Sequence, residues 1–382
     1  MIGFLKKNIA VILFIVLSLI FGGCIGYSLI IFFGKEQGFV SLIMNLLLSF
    51  LIMIVCIFLQ IIIHETGHLT AALTRGWKFI SFMAFGFILT RRDGHYRIST
   101  MKLAGAGGQC LLLPPENGDS DFGIMLYNLG GVIFNLMFSV ISGILLWTCH
   151  ESLNPYLNIF LMLFSGVGIC FFLVNGIPST FSGIPNDGYN ILRLREDKFS
   201  TQVFLDSLRF LAKTQSGKRP HEAMEEYYSD NKRLDMSSPF HVCALTMDLA
   251  LSLDRLDLDK AHSLIALAEE RWNEIIQIYK NEISMERLFL NLIDNGEISK
   301  IEEAINDKNI MNYLNQNATF RPSALRIQYA IALIYDKDRE KADKIMERFN
   351  TISESYYNVG DALCEKALMK YTSGLYEDIS KQ

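Results

Sequence analysis

The sequence CIFLQIIIHETGHLTAALTRGW, residues 56–77, places three ionisable side chains at the end of an apolar run. His64, Glu65 and His68 follow the almost entirely apolar residues 39–63. An ionisable side chain at membrane depth costs roughly 2.5–3.5 kcal/mol on insertion scales. The run therefore predicts a membrane-spanning helix whose polar groups have a compensating partner.

Hydrophobic residues make up 51% of the 382-residue chain, but they are unevenly distributed. Residues 1–195 contain 11 Lys and Arg against 8 Asp and Glu, whereas residues 196–382 contain 24 against 32. The composition predicts a membrane domain at 1–196, with the lipid bilayer as its partner, and an acidic cytosolic domain at 197–382. Neither half is basic enough for a nucleic-acid partner.

Four apolar stretches are long enough to span a bilayer: Asn8–Phe33, Phe39–Leu73, Phe122–Thr148 and Leu157–Asn175. Lys6 and Lys7 precede the first stretch, and six Lys and Arg lie between residues 75 and 102, after the second. The connection at 149–155 has none. Because cytosolic loops are enriched in Lys and Arg, we expect a multi-pass protein of a bacterial cell membrane with both termini cytosolic.

The spacing of the ionisable residues suits a zinc ion. Residues four apart share one face of a helix, so His64 and His68 can both present an imidazole to one metal. Glu65 lies beside them, and zinc lowers the pKa of a water so that a carboxylate can take its proton. This pattern is the HExxH motif of metalloproteases. The alternative is a hydrogen-bonded pair of histidines beside a glutamate.

A catalytic zinc site usually has three protein ligands, so a third is needed. Other acidic or histidine residues of this half are His95, His150, Glu116, Asp119 and Asp121. The strongest candidate is Asp187 in VNGIPSTFSGIPNDGYNILRL, residues 174–194. Irregular backbone at membrane depth is tolerated where it lines a cavity or is buried in protein. The alternative for Asp187 is an Asp-Gly turn in which it caps a helix.

Residues 39–195 resemble the site-2 protease group of intramembrane zinc metalloproteases, family M50. That family pairs HExxH on one transmembrane helix with Asp-Gly on a later one, matching His64, Glu65, His68 and Asp187 here. The resemblance implies that the two histidines and the aspartate bind Zn²⁺. It also implies that Glu65 is the general base.

Two asparagine motifs extend the resemblance. GVIFN, residues 131–135, is similar to a family Gly-Pro-x-x-Asn pattern, with Val132 in place of proline, and NGIP, residues 175–178, matches a family Asn-x-x-Pro pattern. The resemblance implies that Asn135 and Asn175 help to bind the substrate backbone or the oxyanion. For Asn135 the alternative is a polar contact between helices.

The segment between the second and third spans predicts β structure. KFISFMAFGFILTRRDGHYRIST, residues 78–100, has an Asp93-Gly94 turn signal between apolar and aromatic runs, which predicts a membrane-associated hairpin. Its edge could add a substrate strand, or the hairpin could be an interfacial anchor. The glycine-rich LAGAGGQCLLLPP, residues 103–115, suggests a gate.

Residues 197–382 predict paired helices with polar faces, without chemistry of their own. A TPR-like α-solenoid and a plain helical bundle both fit. We therefore expect an α-helical polytopic membrane protein, with about four transmembrane helices and a hairpin, followed by an all-α, TPR-like soluble domain. The soluble domain would bind a substrate tail, a protein partner or itself.

The leading functional hypothesis is an intramembrane zinc endopeptidase. Its substrates would be single-span membrane proteins or short hydrophobic precursor peptides, cleaved near the cytosolic side. The alternative is a non-catalytic zinc-binding membrane receptor, immunity protein or scaffold that acts through its helical domain. The intact Glu65 favours the enzyme, because a binding protein needs no general base.

Overall fold

The computed structural model describes residues 19, 22–23, 25–34, 38–92, 95–100, 107–116, 121–181, 184–224, 234–294 and 296–379. Contacts within the chain divide it into two units. The first comprises residues 1–85 and 105–196, and the second comprises residues 86–104 and 197–382.

Three long apolar helices dominate the described part of the first unit: α1 (Phe39–Thr74), α2 (Asp121–Cys149) and α3 (Pro155–Gly176). Each is long and apolar enough to cross a membrane. Their ends lie within two residues of the second, third and fourth predicted spans. Most of the first predicted span lies outside the described residues, although residues 25–33 are helical. A total of four spans is therefore not confirmed.

The three helices contact one another, and glycines allow the closest approach. A Cβ atom added to Gly67 on α1 would lie 2.2 Å from the carbonyl oxygen of Gly130 on α2. One added to Gly130 would lie 2.4 Å from the carbonyl oxygen of Gly67. Small residues permit such contacts between membrane helices. Large apolar side chains such as Phe50 and Trp147 remain exposed, as expected for surfaces that face lipid.

Four strands follow α1: β1 (Lys78–Ala84), β2 (Phe87–Arg92), β3 (His95–Thr100) and β4 (Gly108–Leu113). β2 and β3 pair antiparallel with Arg92 opposite His95, which confirms a hairpin around Asp93-Gly94, although that turn lies outside the described residues. β1 pairs antiparallel with β4, with Ala84 opposite Gly108. The segment in which we expected a gate thus contains a strand, and its residues 103–106 are not described.

The first unit ends with an irregular segment and a helix. Two short strands, β5 (Thr180–Phe181) and β6 (Ile184–Pro185), pair antiparallel after α3. Helix α4 (Asp187–Glu196) follows and contacts α2 and α3. Asp187 is therefore held at the start of a helix that packs on two membrane helices.

The second unit is helical after residue 197. Its helices are α5 (Lys198–Gln215), α6 (Pro220–Ala223), α7 (Pro239–Arg255), α8 (Leu258–Glu270), α9 (Gln277–Ile293), α10 (Ile298–Asn306), α11 (Lys308–Asn317), α12 (Pro322–Ala330), α13 (Arg339–Ser355) and α14 (Val359–Ile379). A 3₁₀ turn at Trp272–Glu274 precedes α9, and a π-helical segment at Ile331–Tyr335 continues α12.

The C-terminal helix distinguishes this arrangement from a solenoid. In a solenoid each repeat contacts only its neighbours in sequence. Here α14 contacts α5 and α7, at the start of the helical region, as well as α12. Buried side chains from α7 to α14, including Leu245, Phe289 and Phe349, form one hydrophobic cluster. A TPR-like domain is thus not confirmed, and the contacts favour the plain bundle.

Candidate metal centre

The structure brings the three predicted zinc ligands together. His64 and His68 lie one turn apart on α1, and their Nε2 atoms are 3.1 Å apart. Oδ2 of Asp187 lies 3.0 Å from Nε2 of His64 and 3.5 Å from Nε2 of His68. Ligand atoms of a tetrahedral zinc site with ordinary bond lengths are separated by roughly 3.3 Å. The three atoms are therefore spaced to surround one zinc ion.

Hydrogen bonds on the far side of each imidazole define where its proton lies. Nδ2 of Asn135 donates to the backbone oxygen of Gln60 at 3.0 Å, so Oδ1 is the atom that faces Nδ1 of His64, at 2.6 Å. Nδ1 of His68 lies 2.8 Å from the backbone oxygen of Tyr127. Both acceptors lack a proton, so each Nδ1 donates. In a neutral imidazole Nε2 then carries a lone pair.

Three lone-pair atoms thus converge with no hydrogen to share between them. Oδ2 of Asp187 is buried and has no hydrogen-bond partner. Buried acceptors without a donor are costly, and a cation among them removes that cost. Two imidazoles and one carboxylate form a donor set that suits zinc. The residues therefore fit the metal that the sequence predicted.

A glycine on α2 leaves room for this cluster. A Cβ atom added to Gly131 would lie 2.6 Å from Cε1 of His64 and 2.7 Å from Nε2 of His68. Any larger residue at this position would displace both imidazoles. The glycine of the GVIFN pattern therefore has a steric role at the metal centre.

The residue before Asp187 organises the helix start. Oδ1 of Asn186 accepts from the backbone N–H of Tyr189 at 2.9 Å and of Ser179 at 3.0 Å, while its Nδ2 donates to the backbone oxygen of Val174 at 2.6 Å. Asn186 is thus the N-cap of α4. The capping role considered for Asp187 belongs to Asn186, which leaves the Asp187 carboxylate available to the histidines.

The glycine after Asp187 is required by a close backbone contact. A Cβ atom on Gly188 would lie 2.3 Å from the carbonyl oxygen of Gly176 and 3.0 Å from the nitrogen of Pro178. Further along α4, Nδ2 of Asn190 donates to Oδ1 of Asn128 on α2 at 3.2 Å. These contacts hold the start of α4 against the ends of the membrane helices.

Glu65 lies on α1 between the two histidines in sequence, but it does not join the three ligand atoms. Its side chain packs against β4, where a Cβ on Gly108 would lie 2.6 Å from Oε1 of Glu65. The backbone of Cys110 on the same strand forms a hydrogen bond with the Glu65 carboxylate. Glu65 is buried, so its carboxylate is held between the cluster and the strand.

The two predicted substrate-binding asparagines contact helices. Asn135 is fully buried, and its Nδ2 also lies 2.7 Å from Oε1 of Gln60, so the interhelical contact considered as an alternative is present. Asn175 donates to the backbone oxygen of Phe171 on its own helix at 3.1 Å. The structure does not place Asn175 among the three ligand atoms. A substrate role for either residue stays a prediction.

Sequence reasoning missed two residues that support the site. Gln60 lies one turn before His64 on α1, and its Nε2 donates to the backbone oxygen of Phe164 on α3 at 3.0 Å. Its position as the last polar residue before the motif was an available signal. Tyr127 contributes a backbone oxygen, for which a sequence carries no signal, and its hydroxyl donates to the oxygen of Cys110 at 2.8 Å.

Comparison with known protein families gives a match that covers most of the chain. The model described as peptidase family M50 matches residues 52–359, which is most of the chain and includes all three ligand residues. No curated protein and no solved structure matches the chain.

Proposed function

The chain belongs to peptidase family M50, the site-2 proteases, and on this premise we propose that it is an intramembrane zinc endopeptidase. Members of this family are membrane metalloproteases. The observation that carries the proposal is the convergence of the His64, His68 and Asp187 lone pairs beside a buried Glu65. A structural metal site would need no unligated carboxylate at its side.

The residues divide the catalytic work between them. His64, His68 and Asp187 would hold the zinc ion, which acts as a Lewis acid and makes a water more acidic when bound. Glu65 would take a proton from the attacking water and pass it to the nitrogen of the leaving amine. The hydrogen bond from the Cys110 backbone keeps the Glu65 carboxylate oriented while it does so.

The position of strand β4 supports a mode of substrate binding in which the substrate is extended. A membrane helix hides its peptide bonds in its own hydrogen bonds, so it must unwind before hydrolysis. β4 is at the end of its sheet's strand order, and it packs against Glu65 through Gly108. We propose that an extended substrate segment aligns along this strand, with its scissile bond near Glu65.

The substrates that this chemistry suits are peptides within or beside the bilayer. We propose single-span membrane proteins or short hydrophobic precursor peptides, cleaved near the cytosolic side. The charge distribution of the loops supports that orientation. The alternative is that the protein is a non-catalytic receptor, immunity protein or scaffold. The buried Glu65 beside the predicted zinc ligands argues against this alternative.

The test is a pair of variants compared by proteomics of membrane fractions. We expect Glu65→Gln to lower cleavage by roughly 10²–10⁴-fold, because it removes the general base, while one zinc ion per chain is retained. Glu151→Gln, in the connection after α2, is the matched control and should cleave normally. Equal precursor levels in wild type and Glu65→Gln would show that Glu65 is not catalytic.

A further inference from the structure

The helical domain contains a second polar site, far in sequence from the HExxH motif. A cavity of about 230 Å³ lies among α7, α9, α12 and α14. Its charged lining consists of Glu282, Glu286, Asp361, Glu365, Arg321 and Arg326. With every group ionised, the lining has two more negative than positive charges. The cavity is therefore acidic although it contains two arginines.

The two arginines do not neutralise all four carboxylates. Arg321 forms a bidentate salt bridge with Glu282, with N–O distances of 2.6 and 3.0 Å. Arg326 donates from Nη2 to both oxygens of Glu286, at 2.8 and 2.7 Å, and from Nε to Glu365. None of the ion pairs in the described part of the chain includes Asp361. When every group is ionised, the excess negative charge is therefore at the Asp361–Glu365 end of the cavity.

One nitrogen of an arginine that lines the cavity lacks an acceptor. Arg326 is 1% exposed, and its Nη1 has no hydrogen-bond partner. The guanidinium also stacks on Phe289, with Cζ 3.8 Å from the ring centroid, so the side chain is fixed in place. A buried guanidinium nitrogen without an acceptor is costly. This nitrogen is shielded from solvent, so the stacked guanidinium forms a fixed part of the cavity wall.

Both carboxylates at this end of the cavity bind a proton more tightly than a solvent-exposed carboxylate does. Burial raises the pKa of Glu365 to about 8, with Asp361 and Glu286 adding to the effect and Arg326 opposing it. Burial also raises the pKa of Asp361, against the influence of Arg321 and Arg326. A bound cation would favour the ionised form of both carboxylates.

We propose that this cavity binds a basic side chain of a peptide, with its ammonium or guanidinium at Asp361 and Glu365. The occupant is the cytosolic flank of a membrane substrate, an assignment that rests on the proposed function. Lys and Arg are enriched in the cytosolic flanks of membrane segments. Residues 196–382, which contain 24 Lys and Arg against 32 Asp and Glu, would attract such a flank.

Binding is best measured without cleavage. The assay uses the full chain with Glu65→Gln in neutral detergent micelles, near pH 8. The probe is a fluorescent 12-residue peptide of alternating Lys and Ser, followed by anisotropy. We expect saturable binding, which is lost when every lysine is acetylated because the positive charge is then removed. Equal binding of the acetylated peptide would overturn the proposal.

Two aspartates of the helical domain form a matched pair of variants. Asp361→Asn should weaken binding at least tenfold. Asp343→Asn, which removes the same charge from an exposed position on α13, should weaken binding less than twofold. Equal losses in both variants would mean diffuse attraction to an acidic domain, and no loss in Asp361→Asn would exclude the site. Either result would overturn the proposal.

A variant that fills the cavity provides a second test if Asp361→Asn does not fold. Ala250 lines the cavity, and Ala250→Leu reduces its volume while leaving every charge in place. We expect it to weaken peptide binding at least fivefold, with a helical circular dichroism spectrum like that of the parent. Unchanged affinity in a folded Ala250→Leu protein would overturn the cavity site.

The outcome separates this inference from the protease assignment. If wild type cleaves precursors through Glu65 but the lysine peptide does not bind, the cavity proposal is wrong and the proposed function stands. If the peptide binds through Asp361 but no Glu65-dependent cleavage occurs, the cavity proposal stands as a basic-peptide site. The source assigned to the peptide would then fail with the protease.

Discussion

At the scale of single residues, two protons on the far side of the imidazoles determine what the cluster can bind. If His64 and His68 carried their protons on Nε2, they would donate to Asp187, and the three residues would form an ordinary hydrogen-bonded cluster. Oδ1 of Asn135 and the Tyr127 carbonyl place the protons on Nδ1 instead. Such outer hydrogen bonds orient metal-binding histidines and tune their affinity.

Substitution of Asn135 tests this role directly. We expect Asn135→Leu to lower zinc affinity by roughly 10–100-fold, because Nδ1 of His64 loses its acceptor. Asn135→Asp keeps an acceptor there and should retain affinity within about threefold, which is well below the loss of roughly 10–100-fold that removal of an outer partner produces. The measurement is zinc release to a chromophoric chelator from full-length protein in detergent.

Asn175→Leu is the matched control for the zinc measurement, because Asn175 donates only to the backbone of its own helix among the hydrogen bonds described. It should leave zinc affinity unchanged. Equal loss of zinc in the Leu and Asp variants of Asn135 would show that the acceptor is not what matters. Slower cleavage by zinc-loaded Asn175→Leu would support the substrate role predicted for that residue.

The residues that converge at the candidate metal centre could be predicted from sequence, whereas those that orient them could not. His64 and His68 have a helical spacing, and Asp187 lies in a polar segment after an apolar run, so local patterns identify them. Gln60 and Asn135 meet across 75 positions, and Nδ1 of His68 meets the Tyr127 carbonyl across 59. Such contacts depend on how two helices are packed, which no local pattern encodes.

At the scale of elements, the membrane helices were the most predictable part. The thickness of a bilayer imposes a length on each apolar run, so α1, α2 and α3 end within two residues of the predicted bounds. The pairing of β1 with β4 was not predicted, because 23 residues separate Ala84 from Gly108, and the intervening glycines favoured a gate. The paired helices could be recognised in the sequence. The contact between α14 and α5 could not, because it joins segments that are far apart in the chain.

A buried ion network joins three helices of the second unit and makes its stability depend on pH. Arg326 on α12 bridges Glu286 on α9 and Glu365 on α14. Burial raises the pKa of Glu365 to about 8, whereas the pKa of a glutamate in the unfolded chain is about 4.3. The folded state therefore binds the proton more tightly, and stability falls as pH rises from about 4.3 to about 8.

Glu365→Gln tests this pH dependence, because the amide cannot ionise. The melting temperature of the wild type, followed by circular dichroism of full-length protein in detergent, should fall between pH 6 and pH 9. In Glu365→Gln we expect less than half of that fall, since Asp361, whose pKa is also raised by burial, still contributes. Glu340→Gln, an exposed residue on α13, should behave like wild type. A Glu365→Gln protein with the full decrease would show that another group is responsible.

At the scale of the whole molecule, the chain combines an apolar part that contains the candidate metal centre with an acidic helical part. The family match at residues 52–359 includes portions of both parts, so the family model extends into the helical region. Composition predicts this division, because membrane segments exclude charged residues. How the helices of the acidic part pack depends on contacts between distant segments, which composition does not describe.

The loop charges predict the orientation of the chain in the membrane, and fusion reporters can measure it. We expect green fluorescent protein fused after Gln382 to fluoresce and alkaline phosphatase at that position to be inactive, because the C-terminus is predicted to be cytosolic. Phosphatase inserted after Leu153, in the connection without Lys or Arg, should be active. Its activity should exceed that of the C-terminal fusion by at least tenfold, after correction for protein amount. The reverse pattern would place Glu65 towards the outer side and would require substrates cleaved there.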